Sequence, residues 1–318
     1  MTAPIVPVRP ARPLVVLAWA SLVANMGIVL TGGVVRLTGS GLGCPTWPRC
    51  TEESFVPHGE LGWHGAIEFG NRLLTFVLVA VAVLTFLAAL RYGHRRVVRI
   101  SVVLALGVPA QAVIGGITVL TQLNPWIVAF HLLVSLAMIG VAVWLLREVY
   151  DGPGDRVWLL PAPFRALTWL VLVATWAVLY VGTIVTGSGP HAGDADAPRN
   201  GLDPATWSQL HADFVFLLVG LTLAVVVVLP LVGGSSRIRR PAYALLAVEV
   251  AQGAVGFVQY YTGLPIGLVA VHLVGAALTS ACATWLVVAT RGPVRVRPAG
   301  PAQPMSGSMA TATNSSDR

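Results

Sequence analysis

Lysine is absent from this sequence, and charged residues of every kind are scarce. Of its 318 residues only 10% are charged and 56% are hydrophobic, and all 20 basic residues are arginines. Soluble domains carry about 25% charged residues. The shortage of charge therefore excludes an ordinary soluble domain and predicts an integral membrane protein that lies in the lipid bilayer.

The net charge of +7 is compatible with nucleic-acid binding, but the distribution of the arginines argues against it. Most of them lie in the connections on one side of the predicted spans, as the positive-inside rule requires. We therefore expect no nucleic-acid partner. The pattern predicts a multi-pass protein of the cell membrane with both termini in the cytoplasm.

Eight apolar segments are each long enough to cross a bilayer, which takes about 20 residues. Their approximate bounds are 14–35, 63–90, 100–121, 126–147, 166–186, 207–232, 241–262 and 266–290. We predict an all-α fold of eight transmembrane helices. The two longest connections, 36–62 and 187–206, are predicted to lie on the outer side.

Part of the sequence occurs twice. Residues 110–131 (AQAVIGGITVLTQLNPWIVAFH) align without a gap with residues 251–272 (AQGAVGFVQYYTGLPIGLVAVH), and eight of the 22 positions are identical. Such repetition indicates a duplicated unit, and an even number of helices per unit makes the repeats parallel. The predicted segments are a cytoplasmic N-tail (1–13), an N-terminal four-helix bundle (14–147), a cytoplasmic linker (148–165), a C-terminal four-helix bundle (166–290) and a disordered cytoplasmic tail (291–318).

Three histidines lie inside predicted helices: His131, His211 and His272. An ionisable side chain within a bilayer is costly, so each is a candidate functional residue. His211 and His272 lie on two helices of the C-terminal half, at similar depth. Two facing histidines in a four-helix bundle can be the axial ligands of a haem iron. The alternative is that they form hydrogen bonds between helices.

The N-terminal half differs at the corresponding place. An ungapped alignment of helices 2 and 6 sets Asn71 against His211, while His131 matches His272. Glu68 lies one turn before Asn71 and shares its helix face. This predicts one pocket for a permanent cofactor and one altered pocket that binds a substrate and carries out chemistry.

Two carboxylates lie within the predicted spans. Glu68 is predicted to be an acid/base or cation-stabilising group of the altered pocket. It is also four residues before Arg72 and can form an ion pair with it, and the two roles are compatible. For Glu249 we expect a hydrogen bond inside the bundle, with a place in a proton path as the alternative.

Two of the three cysteines, Cys44 and Cys50, lie in the first outer connection. Because that side faces an oxidising compartment, a disulfide is expected. Metal binding and a redox-active cysteine pair are the alternatives. Cys282 lies in the last helix, where we expect it to be a packing residue.

The chain resembles the haem A synthase family. The resemblance covers about residues 14–290 and is carried by VRLTGSGLGCPTWP at 35–48, the Glu68 segment, the helical histidines and TGSGPHAGD at 186–194. It implies two four-helix halves and a membrane oxidoreductase that oxidises the C8 methyl group of haem O to a formyl group. The product would be haem A for cytochrome oxidase.

The resemblance also implies roles for individual residues. They are His211 and His272 as ligands of haem b iron, His131 facing the substrate haem iron, Glu68 in catalysis, Asn71, His64 and Arg72 in the substrate haem pocket, and a Cys44–Cys50 disulfide. One position departs from the family, which has histidine where this chain has Asn71. Asparagine is a poor haem ligand, so the substrate haem would be held by His131 alone or by His64 as a substitute.

Two other functions are compatible with the sequence. A b-type membrane cytochrome would shuttle electrons without modifying haem, and a membrane transporter would need no haem. The haem A synthase resemblance implies haem O as the substrate, with haem O synthase and cytochrome oxidase assembly as partners. A homo-oligomer is compatible with it.

Overall fold

Eight long helices make up most of the structure, a computed structural model that describes residues 12–294. They are α1 (Arg12–Leu37), α2 (Gly62–Tyr92), α3 (Arg95–Leu120), α4 (Pro125–Asp151), α5 (Ala162–Ser188), α6 (Pro204–Leu231), α7 (Ser236–Tyr261) and α8 (Ile266–Ala289). All eight are long and apolar enough to span a membrane, which confirms the predicted number of spans. A 3₁₀ turn, Gly59–Leu61, precedes α2. Nearly all of the predicted N-tail and most of the predicted C-terminal tail lie outside the described residues.

The starts of the two helices that carry His131 and His211 are capped by side chains. The Asn124 side chain accepts a hydrogen bond from the backbone N–H two residues on, at 3.0 Å, and Asp203 accepts the Thr206 N–H at 2.8 Å. The Thr206 hydroxyl also donates to Asp203, and these bonds lower the pKa of the Asp203 carboxyl. Such caps fix where a helix begins, and hence the height of the histidine about two turns later.

The helices form two rings with the same order of neighbours. Among the described residues, α1 contacts α2 and α4, and α3 contacts the same two helices; α5 to α8 repeat this arrangement. The rings meet where α4 packs against α8. There the Ser280 hydroxyl donates to the Leu136 carbonyl at 2.8 Å, and Gly140 lies against Thr284, as is usual for close helix pairs in membranes. The matching order of neighbours in the two rings is the order that two parallel repeats require. The duplication itself stays a prediction.

The two ends of the helix bundle are packed differently. We call the end with the connections 38–61 and 189–203 the loop side, and the end with the connection 152–161 the linker side. In α4, α6 and α8 every fully buried residue lies on the linker side of the helix's histidine. In α7 the buried residues end at Glu249, also on the linker side. On the loop side the buried residues lie mainly in α1, α3 and α5.

A small β-ribbon on the linker side differs from the prediction. Strand β1 (Arg156–Trp158) pairs antiparallel with β2 (Arg291–Pro293), although the tail was expected to be disordered from residue 291. The connection between the halves is also shorter than predicted, since α4 and α5 extend into it. The Trp158 ring lies between two guanidinium groups, those of Arg165 at 4.5 Å and Arg291 at 3.8 Å, which is a favourable cation–π arrangement. These contacts join segments that are far apart in the sequence.

Asp151 ties the two halves together on the linker side. Arg237 of α7 donates to both of its carboxylate oxygens, at 2.6 and 2.5 Å, and also to the Ala289 and Arg291 carbonyls. Only 7% of the Asp151 side chain is exposed. From the sequence, Asp151 falls in the predicted cytoplasmic linker (148–165), and no partner was predicted for it.

We expect Asp151→Ala to lower the free energy of unfolding by about 3 kcal/mol, because it leaves a partly buried guanidinium without its charge partner. Thermal unfolding of the purified protein in detergent would measure this. Asp155→Ala is the matched control, since Asp155 is exposed and forms no ion pair within residues 12–294. Equal midpoints for the two variants would contradict the role assigned to Asp151.

Candidate functional site

Two histidines face each other across the C-terminal ring of helices. His211 on α6 and His272 on α8 have imidazole centroids 6.4 Å apart and ring planes at 72°. A metal–imidazole bond is about 2 Å long and the centroid lies roughly 1 Å behind the bonded nitrogen, so two rings on one metal stand about 6 Å apart. The observed spacing fits an iron atom between them. We call the space around this pair the C-terminal pocket.

Each helical histidine lies against a glycine of a neighbouring helix, which gives the ring room beside the backbone. The pairs, with the distance from a Cβ placed on the glycine to the nearest ring atom, are Gly182 and His211 (3.0 Å), Gly256 and His272 (3.5 Å), and Gly115 and His131 (3.3 Å). Within residues 12–294 the buried Nδ1 atoms of His131 and His272 have no hydrogen-bond partner. Such atoms are rare and are found at functional sites.

Two glutamines brace the helices that carry His131 and His272. Gln252 Nε2 donates to the His272 carbonyl at 2.8 Å, and Gln111 Nε2 makes the matching bond to the His131 carbonyl at 3.3 Å. Neither glutamine was given a role from the sequence. Their shared position in the repeated segment could have indicated one.

The interior of the N-terminal ring, at the level of His131, is called the N-terminal pocket. His131 lies on α4 and Asn71 on the diagonal helix α2, so the two occupy the ring positions that His272 and His211 occupy in the other half. Asn71 is hydrogen-bonded to the neighbouring helix, since the Thr31 hydroxyl donates to its Oδ1 atom at 2.7 Å. This pocket therefore contains one imidazole and one amide.

Glu68 is held between its own helix and the first long connection. Its Oε1 atom accepts two hydrogen bonds from Arg72, at 3.2 and 2.5 Å, and its Oε2 atom accepts the Cys44 backbone N–H at 2.5 Å. Arg72 also donates to the carbonyls of Cys44, Thr46 and Arg49. The expected Glu68–Arg72 ion pair is confirmed. The bond to the loop backbone was not predicted.

The segment between Cys44 and Cys50 covers the loop side of the N-terminal ring. The predicted disulfide between these two cysteines is confirmed. One end of the segment is held by α2 through Glu68, and the indole ring of Trp47 lies against Gly116 of α3, next to the glycine that contacts His131. An open cavity of about 320 Å³ separates this segment from the end of α3. The disulfide segment thus bridges α2 and α3 above the N-terminal pocket.

His64 is engaged with the loop. Its Nδ1 atom is 3.0 Å from the Ser40 hydroxyl, and its ring is stacked on Trp63 with centroids 3.8 Å apart. It lies seven residues before Asn71, which is about 10 Å along a helix axis. These contacts leave the idea that His64 replaces a ligand at Asn71 without structural support.

Glu249 is hydrogen-bonded inside the C-terminal ring, as expected. The Thr222 hydroxyl donates to its Oε1 atom at 2.8 Å, and only 3% of the residue is exposed. Its Oε2 atom has no partner among the described residues. The third cysteine, Cys282, is half-buried in α8 and outside the disulfide.

These features define an eight-helix membrane protein with a paired-histidine pocket and a second, modified pocket. A sequence profile of the cytochrome oxidase assembly protein family, COX15-CtaA, matches residues 15–195, more than half of the chain. The chain belongs to this family. The predicted family relationship is thereby confirmed.

Curated relatives of the chain carry the name haem A synthase. The protein of Geobacillus thermodenitrificans is 34% identical over 121 residues, which is 37% of either chain. That of Lysinibacillus sphaericus is 33% identical over 53% of this chain and 57% of its own length. That of Staphylococcus epidermidis is 25% identical over 65% and 74%. The chain thus matches between about a third and three quarters of the length of these relatives.

Proposed function

We propose that this protein is a haem A synthase, which oxidises the C8 methyl group of haem O to a formyl group. The observation that carries the proposal is the contrast between the two pockets. One has two facing histidines, and the other has a single histidine with a buried carboxylate above it. Family membership favours this enzyme over a transporter or an electron-shuttling cytochrome.

His211 and His272 would hold haem b as the resident cofactor. The 6.4 Å spacing of their rings and the adjoining glycines suit an iron ligated on both faces. Bound there, haem b would supply one-electron transfer. Gln252 would hold the α8 backbone at the level of His272 through its bond to the carbonyl. The caps at the start of α6 would set the height of His211.

The N-terminal pocket would bind the substrate haem. His131 would face the substrate iron, with its ring kept against α3 by Gly115. Asn71 stands on the diagonal helix, and Trp47 of the disulfide segment covers part of the loop side. In such a partly enclosed pocket, a fixed charge near the reacting carbon acts more strongly than it would in water.

Glu68 would serve the reaction as a fixed carboxylate. Arg72 and the Cys44 N–H hold its two oxygens in place, so the group needs little reorganisation during the reaction. It would accept a proton from the oxidised carbon or stabilise positive charge there. Because Glu68 is hydrogen-bonded to the loop, the carboxylate and the disulfide segment are held in a fixed position relative to each other.

The membrane orientation follows from charge. Both described chain ends lie on the linker side, together with most of the described arginines, namely Arg12, Arg91, Arg95, Arg96, Arg99, Arg147, Arg156, Arg165, Arg237, Arg239, Arg240 and Arg291. The loop side has Arg36, Arg49, Arg72 and Arg199. The positive-inside rule therefore supports cytoplasmic termini. Partners would be haem O synthase, as a donor of substrate, and the assembly of cytochrome oxidase.

The proposal is tested by expressing the chain with a supply of haem O and identifying the extracted haems by chromatography and mass. Haem b together with haem O or haem A is the expected result. Haem b alone would support an electron-shuttling cytochrome instead. Protein that contains no haem would contradict both readings.

Gly182→Ala should weaken haem b binding, because the added Cβ would stand 3.0 Å from the His211 ring and displace it. We expect at least a severalfold lower ratio of haem b to protein. Gly220→Ala on α6 is the matched control, since Gly220 is exposed and a Cβ there has no neighbour within 4 Å. Unchanged haem content in Gly182→Ala would argue against an iron bound to His211.

A further inference from the structure

We propose that Asn71 is a hydrogen-bond donor beside an open axial position of the substrate haem iron, which His131 alone holds. This inference rests on the proposed function, because it needs a haem in the N-terminal pocket. It concerns a residue at which the chain departs from its own C-terminal half. Four observations carry it: the missing second imidazole, the contacts of His64, the orientation of the Asn71 amide, and its free NH₂ group.

No second imidazole is available at the level of Asn71. In the other half, His211 and His272 stand on diagonal helices and their rings are 6.4 Å apart. In the N-terminal half, His131 has Asn71 at the diagonal position. His64 lies two turns nearer the loop side, and its Nδ1 atom and ring face are engaged by Ser40 and Trp63.

The amide of Asn71 has a defined orientation. A threonine hydroxyl has one proton, and the shorter of the two contacts of the Thr31 hydroxyl, 2.7 Å, is to Asn71 Oδ1; the other, to the Ile28 carbonyl, is 3.2 Å. Because Oδ1 faces α1, the NH₂ group is turned away from that contact. Within residues 12–294 this NH₂ group donates no hydrogen bond, and it is not among the buried polar atoms. A donor is thus left free on the diagonal helix.

An amide NH₂ group provides two donors and no lone pair for a metal. It cannot close the axial position as an imidazole does. It can donate to a small molecule bound there, such as water or a diatomic gas. Donors of this kind decide whether a haem pocket binds such ligands or only transfers electrons. The C-terminal pocket is then closed to small ligands on both faces, and the N-terminal pocket is open on one.

Carbon monoxide is the probe that separates the two pockets. The full chain would be purified from cells supplied with haem O, reduced, and titrated with carbon monoxide while the absorbance and the infrared C–O stretch are recorded. We expect one of the two haems to bind carbon monoxide. The other, ligated by two histidines, should keep its spectrum.

Variants of the donor give the decisive comparison. Asn71→His should weaken carbon monoxide binding at least tenfold and give a second six-coordinate haem spectrum. Asn71→Leu should still bind the gas but raise its C–O stretching frequency, because the donor is gone. Thr31→Val should move the frequency in the same direction by less, and it tests the same donor if Asn71→Leu does not fold.

Three results would overturn the proposal: two haems of which neither binds carbon monoxide, a gain of binding in His64→Ala, or an unchanged stretching frequency in Asn71→Leu. The first two would mean that the chain supplies a second ligand, and the third that Asn71 does not reach the bound gas. Failure of the proposed function looks different. Haem extraction would then find no second haem in the wild-type protein, whatever the carbon monoxide spectrum.

Discussion

His272→Ala should purify with at least tenfold less haem b than the wild-type protein. The substitution removes one of two facing imidazoles, and a haem held by His211 alone would dissociate during purification. Haem b per protein, measured by extraction and chromatography, gives the result directly. Product formation should fall with it, since electron transfer depends on the bound cofactor.

Glu68→Gln should give the opposite combination. Haem b should stay at the wild-type level, because Glu68 lies in the other ring of helices. Haem A formation should fall by about 100-fold or more, the usual loss when a group that handles a proton is removed. Glutamine has one acceptor oxygen in place of two, so the bond to Arg72 or the bond to the Cys44 N–H is lost. The bonds from Arg72 to three loop carbonyls should keep the loop attached. If both variants lost haem b equally, the assignment of two separate pockets would be wrong.

Arg72→Met should lower the free energy of unfolding about as much as Asp151→Ala. It removes the guanidinium that pairs with a nearly buried carboxylate and that also donates to three loop carbonyls. Removal of one partner of such a pair costs about 3–5 kcal/mol, and the lower end applies because 19% of the Arg72 side chain is exposed. Thermal unfolding in detergent measures the change.

The double variant Glu68→Gln, Arg72→Met separates charge from packing. It should recover part of the loss, because no unpaired carboxylate remains, and the difference gives the coupling energy of the pair. Arg49→Met is the matched control, since Arg49 lies in the loop that Arg72 contacts and is itself exposed. Equal losses in Arg72→Met and Arg49→Met would show that the Glu68 contact does not stabilise the fold.

Much of the architecture could be predicted from composition and repetition. Membrane helices are recognisable from their length and apolarity. The bounds of each predicted span lie within several residues of those of an observed helix. The cysteine pair was also predictable, because two cysteines six residues apart in an outer connection have few other partners. The sequence also predicted that His211 and His272 lie on two helices of the C-terminal half at similar depth, but not that these helices are diagonal in the ring.

Contacts between distant segments could not be predicted from the sequence. The bond from the Cys44 N–H to Glu68 depends on how the loop folds back over α2, and helix periodicity does not report this. The pairing of Arg156–Trp158 with Arg291–Pro293 depends on how the two halves pack against each other on the linker side. The Thr31–Asn71 bond likewise needs the relative height of two helices. Spacing along the chain constrains such contacts only within one helix.

The uneven packing along the helices has a consequence for how the two halves could diverge. The two larger clusters of apolar side chains lie mainly on the linker side, where the loss of a side chain leaves a cavity and destabilises the fold. Asn71 lies outside all three apolar clusters, so a change of its side chain leaves their packing intact. A duplicated unit built in this way can exchange an imidazole for an amide and acquire a new chemical task, while the same scaffold keeps it folded.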